Sequence, residues 1–501
     1  MAIDKITASG LGDGGVSTAD LADGAVTTAK ITDGEVTFAK LNADAQPTPT
    51  QVSDQPNTST GGFSMPAGTT AQRPGTPDTG ESRYNSETGS LEFYDGANWI
   101  TTNLIPTVDS VSGTIYNGIA SDLTLSLSNA TDSIDVVFKE GVTTLATVSS
   151  VSVSSGSATV TVPSEVYGQT VGDTITININ NTDGTPSSNS QTKTVIATPT
   201  GGTITSVGGD RVHTFTTSSS FVVPAGISLS NVDFLVLAGG GGGGTHNAGG
   251  GGAGGLRTSF GSTSGGGASA QSAISTMGAA TYTVVVGPGA GRKGDAGNGR
   301  RGDSGTGSSI SGSGITTIST SGGGGGCSGN DGTAGLTGGC GGAGYNNGNN
   351  GQGTTGEGYA GGAGNSTQDI GGGGGTAALG QDGSDGNYAG DGGAGLQVNI
   401  DGNNYYWGGG GGGAGYEPSD PSGDGGIGGG GGGAGGDSSP GGAGGGSAIN
   451  SGAAGNSVSQ TGGQGGDGGA NSGGGGGGTS RPGSYGGAGG KGIVILRYTL
   501  S

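Results

Sequence analysis

The chain has 501 residues, room for several domains, but 29% hydrophobic content against 130 glycines excludes one large apolar core. Its 16 Lys and Arg against 37 Asp and Glu give a net charge of −21, a surface that phosphate backbones and anionic membranes repel. Binding to either is therefore disfavoured, no apolar stretch approaches the ~20 residues of a membrane span, and two cysteines are too few for a disulfide framework.

Residues 1–45 open on Met1-Ala2-Ile3-Asp4-Lys5, which lacks the charged and apolar regions of a signal peptide. A ten-residue repeat follows. Leu11, Leu21 and Ile31 open successive decades, each with Asp-Gly at its third and fourth positions and Val16, Val26 or Val36 at its sixth. An apolar residue every five positions fits neither a helix nor a strand. One such unit cannot bury its own aliphatics, whereas three chains wound about an axis can, so the repeat reads as a trimeric stalk. A disordered tail is the alternative.

Residues 46–67, rich in Pro, Thr, Ser, Gln and Asn, read as a linker. Residues 68–102 read as a small hairpin module, in which Thr88-Gly89 and Asp95-Gly96 punctuate short aromatic runs around Trp99. Residues 103–200 alternate at period two, as in Leu123–Leu127, Ala158–Val162 and Ile175–Ile179. About seven strands at this spacing predict an immunoglobulin-like sandwich without its disulfide.

In residues 201–501 glycine dominates: 105 of the 130 glycines lie at or after Gly239. Strands are predicted at His213–Thr216, Phe221–Pro224, Val232–Ala238, Tyr282–Val286, Ile315–Ser319, Leu396–Ile400, Tyr405–Trp407 and Ile493–Tyr498. Between them run tracts such as Gly239–Gly244, Gly408–Gly413, Gly428–Gly433 and Gly473–Gly478. Ordering glycine costs roughly 1–2 kcal/mol per residue with no side chain to recover it. Packed polyglycine-II helices offer an escape, with three residues per turn, a rise of ~3.1 Å, and every amide donated to a neighbour. Gly-Gly-Ala-Gly recurs eight times, from Gly251, Gly341, Gly361, Gly392, Gly412, Gly432, Gly441 and Gly486, several of them twenty residues apart. A flexible linker has no need of a fixed alanine; a lattice edge with room for a methyl does. A collagen helix is excluded by the missing Gly-X-Y period.

The fold class expected is thus all-β, modular and elongated: repeat stalk, hairpin module, sandwich, and a β-base carrying packed polyglycine-II helices. Tyr405–Trp407 is expected to pack that base, and Cys327 and Cys340 to be buried thiols. Loops between tracts combine aromatics, which stack on sugar rings, with amides that bond hydroxyls. The candidate binding residues are Tyr345, Asn346, Asn347, Asn349, Tyr388, Tyr416 and Tyr485. Arg301-Gly302-Asp303 is expected by chance in such a background. No calcium loop, phosphate loop or metal-ligand spacing is present, His213 and His246 lack a nucleophile arrangement, and no cofactor is expected.

Three stretches carry a resemblance. Gly68–Pro74, Arg83-Tyr84-Asn85 and Gly89–Gly96 with Trp99 resemble a motif of phage tail-fibre proteins. Leu21–Lys30 is similar to N-terminal fibre repeats. Val232–Gly244, the Gly-Gly-Ala-Gly tracts and Gly490–Tyr498 resemble glycine-rich phage tail proteins and, more loosely, adhesins built on polyglycine-II helices. The resemblance implies a non-enzymatic virion adhesin, made in the host cytoplasm. Its N-terminus would join a tail or capsid protein and its head a host receptor, either a glycan or an outer-membrane protein. A structural decoration or spacer protein is the alternative. A second is a glycan depolymerase, which would need two carboxylates among Asp369, Asp382, Asp385, Asp391, Asp420 and Asp424.

Overall fold

A computed structural model describes residues 65–101, 105–295, 297, 299–329, 332–345, 349–364, 370–384, 388–417, 420–457 and 461–500. The decapeptide repeat and nearly all of the linker lie outside them. Among the described residues strand is the main regular structure and the one α-helix is Ser164–Tyr167, so the protein is all-β. It divides into two units, Met1–Asn103 and Leu104–Ser501.

In the first unit, β1 (Ala67–Gly68), β2 (Ser82–Asn85), β3 (Ser90–Tyr94) and β4 (Trp99–Thr101) form one sheet in that order. Glu92 sits on its buried face, bonded by Arg73 (2.6 Å) and Asn85 (3.1 Å), with Arg83 3.4 Å away. The Arg73 bond leads in holding the Glu92 carboxyl below its ordinary range, against the opposing effect of burial.

The second unit begins with β5 (Thr107–Ser112), β6 (Ile115–Tyr116), β7 (Asp122–Ser128), β8 (Ser133–Glu140), β9 (Thr143–Ser154), β10 (Ser157–Thr161), β11 (Thr174–Asn181) and β12 (Gln191–Ile196). Hydrogen bonding runs β5-β7-β10-β9-β8-β11-β12-β6. The twelve-residue β9 is bulged where it pairs β8 and continues to β10, which folds this path over a single core. That core holds Leu123, Leu125, Ile134, Val136, Phe138, Val160, Ile175 and Ile177. β7 and β10 alternate strictly between exposed and buried, as a one-sided sheet requires. The order β5-β7-β10-β9 on one side and β9-β8-β11-β12 on the other is that of an immunoglobulin-type sandwich.

The glycine-rich half stands on a β-base. β13 (Thr203–Val207), β14 (Asp210–Phe215), β15 (Ser219–Val223), β16 (Leu229–Leu237), β17 (Leu256–Thr258), β18 (Ile274–Met277) and β19 (Ala280–Val285) supply most of it. The C-terminal strand Ile493–Tyr498 inserts between β14 and β16, its paired residues 279 or more from the one and 256 or more from the other in sequence. Both of its faces are buried, which explains its unbroken apolar run. Val494, Leu496 and Tyr498 face one core with Phe215, Phe221 and Phe234; Ile493 and Ile495 face another with Leu235, Leu237 and Trp407. Trp407 is fully buried in the Leu396–Trp407 hairpin, where its indole N–H donates to Val398 O at 2.9 Å. The sandwich meets the first of these cores through Tyr116, Ile119 and Ile196.

From the base, strands run directly into glycine helices. Along 238–245, amides of Ala238, Gly241 and Gly244 donate to Gly255, Gly252 and Gly249. Those of Gly239, Gly242 and Thr245 donate to Thr306, Asp303 and Arg300, and those of Gly240 and Gly243 to Gly490 and Gly487. Every third residue addresses the same neighbour, the signature of a three-residue turn. Partner numbers fall as the run rises, so these neighbours are antiparallel. Parallel ones donate back: Gly323 and Gly326 to Gly239 and Gly242, Gly476 and Thr479 to Gly241 and Gly244. The tracts are thus a lattice rather than a tether.

Many of its interior positions admit only glycine. A Cβ on Gly251 would overlap the Gly241 carbonyl, and one on Gly411 the Gly476 carbonyl. The repeated alanine is not solely an edge residue. Ala253, Ala343, Ala414 and Ala434 are buried, while Ala363, Ala394 and Ala488 are half-buried and Ala443 exposed. Cys327 and Cys340 are buried thiols without a disulfide, and burial pushes the Cys340 thiol up.

Candidate binding site at the lattice tip

The glycine run 238–244 turns at the end away from the base and returns along 249–255. Ala238 pairs with Gly255 beside the base, and Gly244 with Gly249 at the turn. The same construction places residues near 295, 328, 345, 388, 416, 437, 461 and 482 at that far end. The described candidates all lie there. Asn346 and Asn347 lie outside the described residues.

Tyr345 is half-buried beside Gly329 and Asn247, and burial raises its hydroxyl pKa. Tyr416 lies under the Arg481 guanidinium, 3.8 Å from its ring centroid, and its carbonyl accepts from Arg481 Nη2 at 3.3 Å. The same Nη2 pairs with Asp437. Tyr485 is exposed and pairs across to Gly294. Tyr388 is exposed next to Ala389, whose amide donates to Pro421 O. The exposed Asn349 offers its carbonyl to the Gly335 amide. Tyr345 and Tyr416 therefore flank one cluster, while Tyr388 and Tyr485 stand on other turns.

Sequence reasoning missed the centre of that cluster. Buried side-chain atoms without a hydrogen bond concentrate at the tip: His246 Nδ1, Asn247 Oδ1, Ser328 Oγ, Thr479 Oγ1, Ser480 Oγ, Arg481 Nε and Ser484 Oγ. They are linked through the backbone, since Asn247 N donates to Ser480 O, Ala248 N to Thr479 O, and Gly329 N to His246 O and Asn247 O. His246 Nδ1 lies 4.0 Å from Asp295 Oδ2. Burial is the largest influence on Asp295 and raises its pKa. The amides of Gly483, Gly299 and Gly297, with His246, outweigh it and hold the carboxyl below its ordinary value. A buried polar atom left unpaired costs about 1–3 kcal/mol, so a cluster of them is matched to water or to a ligand's polar groups. The available sequence signal was the abrupt change from glycine to hydroxyl, amide and imidazole groups in Thr245-His246-Asn247, Cys327-Ser328 and Thr479-Ser480-Arg481.

The other motifs have structural roles. Gly302 N donates to Gly326 O at 2.9 Å and Asp303 pairs with Lys293 at 2.7 Å, so Arg301-Gly302-Asp303 is a rung of the lattice. Asp382, Asp424 and Asp467 accept the amides of Ala363 (2.7 Å), Ala443 (2.6 Å) and Ala488 (2.7 Å), three alanines of the recurring motif. Asp391 accepts the Asp424 amide at 2.7 Å; burial foremost, then the Asp424 charge, raises its pKa. Asp420 is buried, and Asp369 and Asp385 lie outside the described residues. Among the described residues no group of His, Cys, Asp and Glu is arranged to hold a metal, and no helix is long and apolar enough to cross a membrane. A groove of about 380 Å³ lies on the base, between β18 and residues 314–318, and Arg257 is the one charged residue lining it. Its guanidinium already donates to Ser319 O at 3.2 Å.

No protein-family model matches the chain, and no curated protein matches it.

Proposed function

We propose that this protein is a phage fibre adhesin, a non-catalytic virion appendage that binds a host cell-surface glycan or outer-membrane protein. The observation that carries the reading is the lattice itself, a hydrogen-bonded glycine block whose turns gather aromatic and unsatisfied polar groups at one end. Rigid scaffolds with variable turns suit recognition, because the ordering entropy of the binding groups is lost in folding rather than on contact. Aromatic rings beside mixed donors and acceptors suit a sugar or an extracellular loop. In this reading the N-terminal repeat joins a tail or capsid protein as a trimeric stalk, and the carboxylates of Asp382 and Asp424 serve the lattice rather than hydrolysis.

The test is binding of the purified chain to bacterial cells of the host range, compared with a variant carrying Tyr416→Ala and Ser480→Ala. Saturable binding that weakens at least tenfold in the variant, with circular dichroism unchanged, supports the adhesin. A chain that binds no cell but still incorporates into virions is a decoration or spacer protein instead. Release of reducing sugar from host envelopes would make it a depolymerase.

A further inference from the structure

We infer that the groove on the β-base is a second binding site, which takes the carboxylate-bearing residue of an acidic sugar. The groove lies between two sheet edges. Among the described residues β18 pairs only with β16, and the strand Ile318–Thr320 only with Ser308–Ser311. The space between them is about 380 Å³, within the ~300–1,000 Å³ of small-molecule sites. Phe234 and Ile318, both buried, form its floor beside the half-buried Ile274. The exposed Ser275, Thr276, Thr316 and Thr317 form its rims, and their hydroxyls have no partner among the described residues.

Charge and geometry select the ligand. Alternation along β17 buries Leu256 and Thr258 and turns Arg257 to the groove. The Arg257 Nη1 donates to Ser319 O on the opposite wall at 3.2 Å, which holds the guanidinium in place and leaves most of its five N–H donors open. Arg292, Lys293, Arg481 and Arg497 each pair with an aspartate. Arg257 has no such counter-ion, and no carboxylate lines the groove. In a chain of net charge −21 this is a concave point of positive charge. Gln271, held by the bond from its backbone amide to Thr258 O at 2.9 Å, adds a side-chain amide that both donates and accepts. A planar guanidinium binds a carboxylate through two parallel hydrogen bonds. The rim hydroxyls and the amide then serve the sugar's hydroxyls, and the apolar floor its C–H face. A phosphate would call for further cations or a cradle of backbone N–H groups, and a nucleobase for an exposed aromatic face. The groove has neither, since Arg257 is its one charge and Phe234 is buried. All these residues belong to the base, so the inference does not rest on receptor binding at the tip.

The experiment titrates the full chain with sodium glucuronate, glucose or inorganic phosphate, read by saturation-transfer NMR. Glucuronate is expected to bind saturably, and glucose at least about tenfold more weakly. Arg257→Gln is expected to weaken glucuronate at least about tenfold with circular dichroism unchanged. Arg257→Lys should restore only part of the loss, because lysine keeps the charge without the fork. Ser275→Trp, which fills the groove from its rim, should abolish binding, whereas the Tyr416→Ala, Ser480→Ala variant should bind glucuronate as the wild type does. Absence of saturable glucuronate binding overturns the inference. So do equal binding of glucose, displacement of glucuronate by an equal concentration of phosphate, or indifference to both Arg257→Gln and Ser275→Trp. A chain that binds glucuronate through Arg257 but binds no host cell would sustain this site and refute the adhesin reading alone.

Discussion

His213 lies at the centre of the base, with Nδ1 2.8 Å from Gly201 O and Nε2 2.8 Å from the Tyr498 hydroxyl. A carbonyl only accepts, so Nδ1 carries the proton and Nε2 accepts from Tyr498. Burial pulls the imidazole pKa down to about 4 from 6.5. The unfolded chain therefore takes up a proton first, and stability is expected to fall as pH drops from about 6.5 towards about 4, by on the order of 3 kcal/mol. Urea unfolding at stepped pH checks this, and His213→Gln should flatten that window. Carboxyls held low, such as Asp210 and Asp295, lose their contribution only below the ordinary carboxylate range. A second residue-level expectation concerns glycine. Gly411→Ala forces a methyl onto the Gly476 carbonyl and should cost about 1–3 kcal/mol by overpacking. Gly446→Ala meets open space and should be neutral or stabilise by about 0.4–1 kcal/mol. Equal melting of both variants would contradict the lattice.

A single lattice run gains little by itself. Each amide bond nets about 1 kcal/mol, the same order as the ordering cost of the residue that makes it. The block must therefore draw its surplus from the strands it grows from. Deleting residues 493–501 withdraws the strand between β14 and β16 and is expected to unfold the glycine helices too, seen as loss of amide protection across 408–413 and 428–433. Edge runs have a further need, since their outward amides face water. Asp424 fills that role for Ala443, so Asp424→Ala should speed exchange of the Ala443 amide at least tenfold while buried Ala434 is unaffected.

For the molecule as a whole, the base strands were legible because burial is periodic. Ile493–Tyr498 occurs with the limits read from its apolar run, and Trp407 lies in the core as its alternation implied. The strand expected at Leu396–Ile400 is shorter, Leu396–Gln397, because Val398 and Ile400 enter the core through a turn. The tip was less legible. Aromatics stand out in a glycine background, which makes Tyr345 and Tyr416 candidates from sequence, while the hydroxyls of Ser328, Thr479 and Ser480 do not stand out. Their importance lies in being buried and unsatisfied together, a property of place rather than of residue type. Exchange measured on the intact chain is expected to show strong protection through the glycine tracts; random-coil rates there would remove the scaffold on which the tip depends.

By itself the sequence determined the all-β class, because period-two alternation and the scarcity of helix formers leave no other regular structure for the apolar residues. It also determined that the glycine tracts fold through backbone hydrogen bonds or not at all. Only the tertiary structure decided which run neighbours which, because identical glycines carry no address and register comes from the strands at their ends. It alone turned the module's apolar face outward, because Arg73, Arg83, Asn85 and Glu92 satisfy one another only when they meet on the inner side.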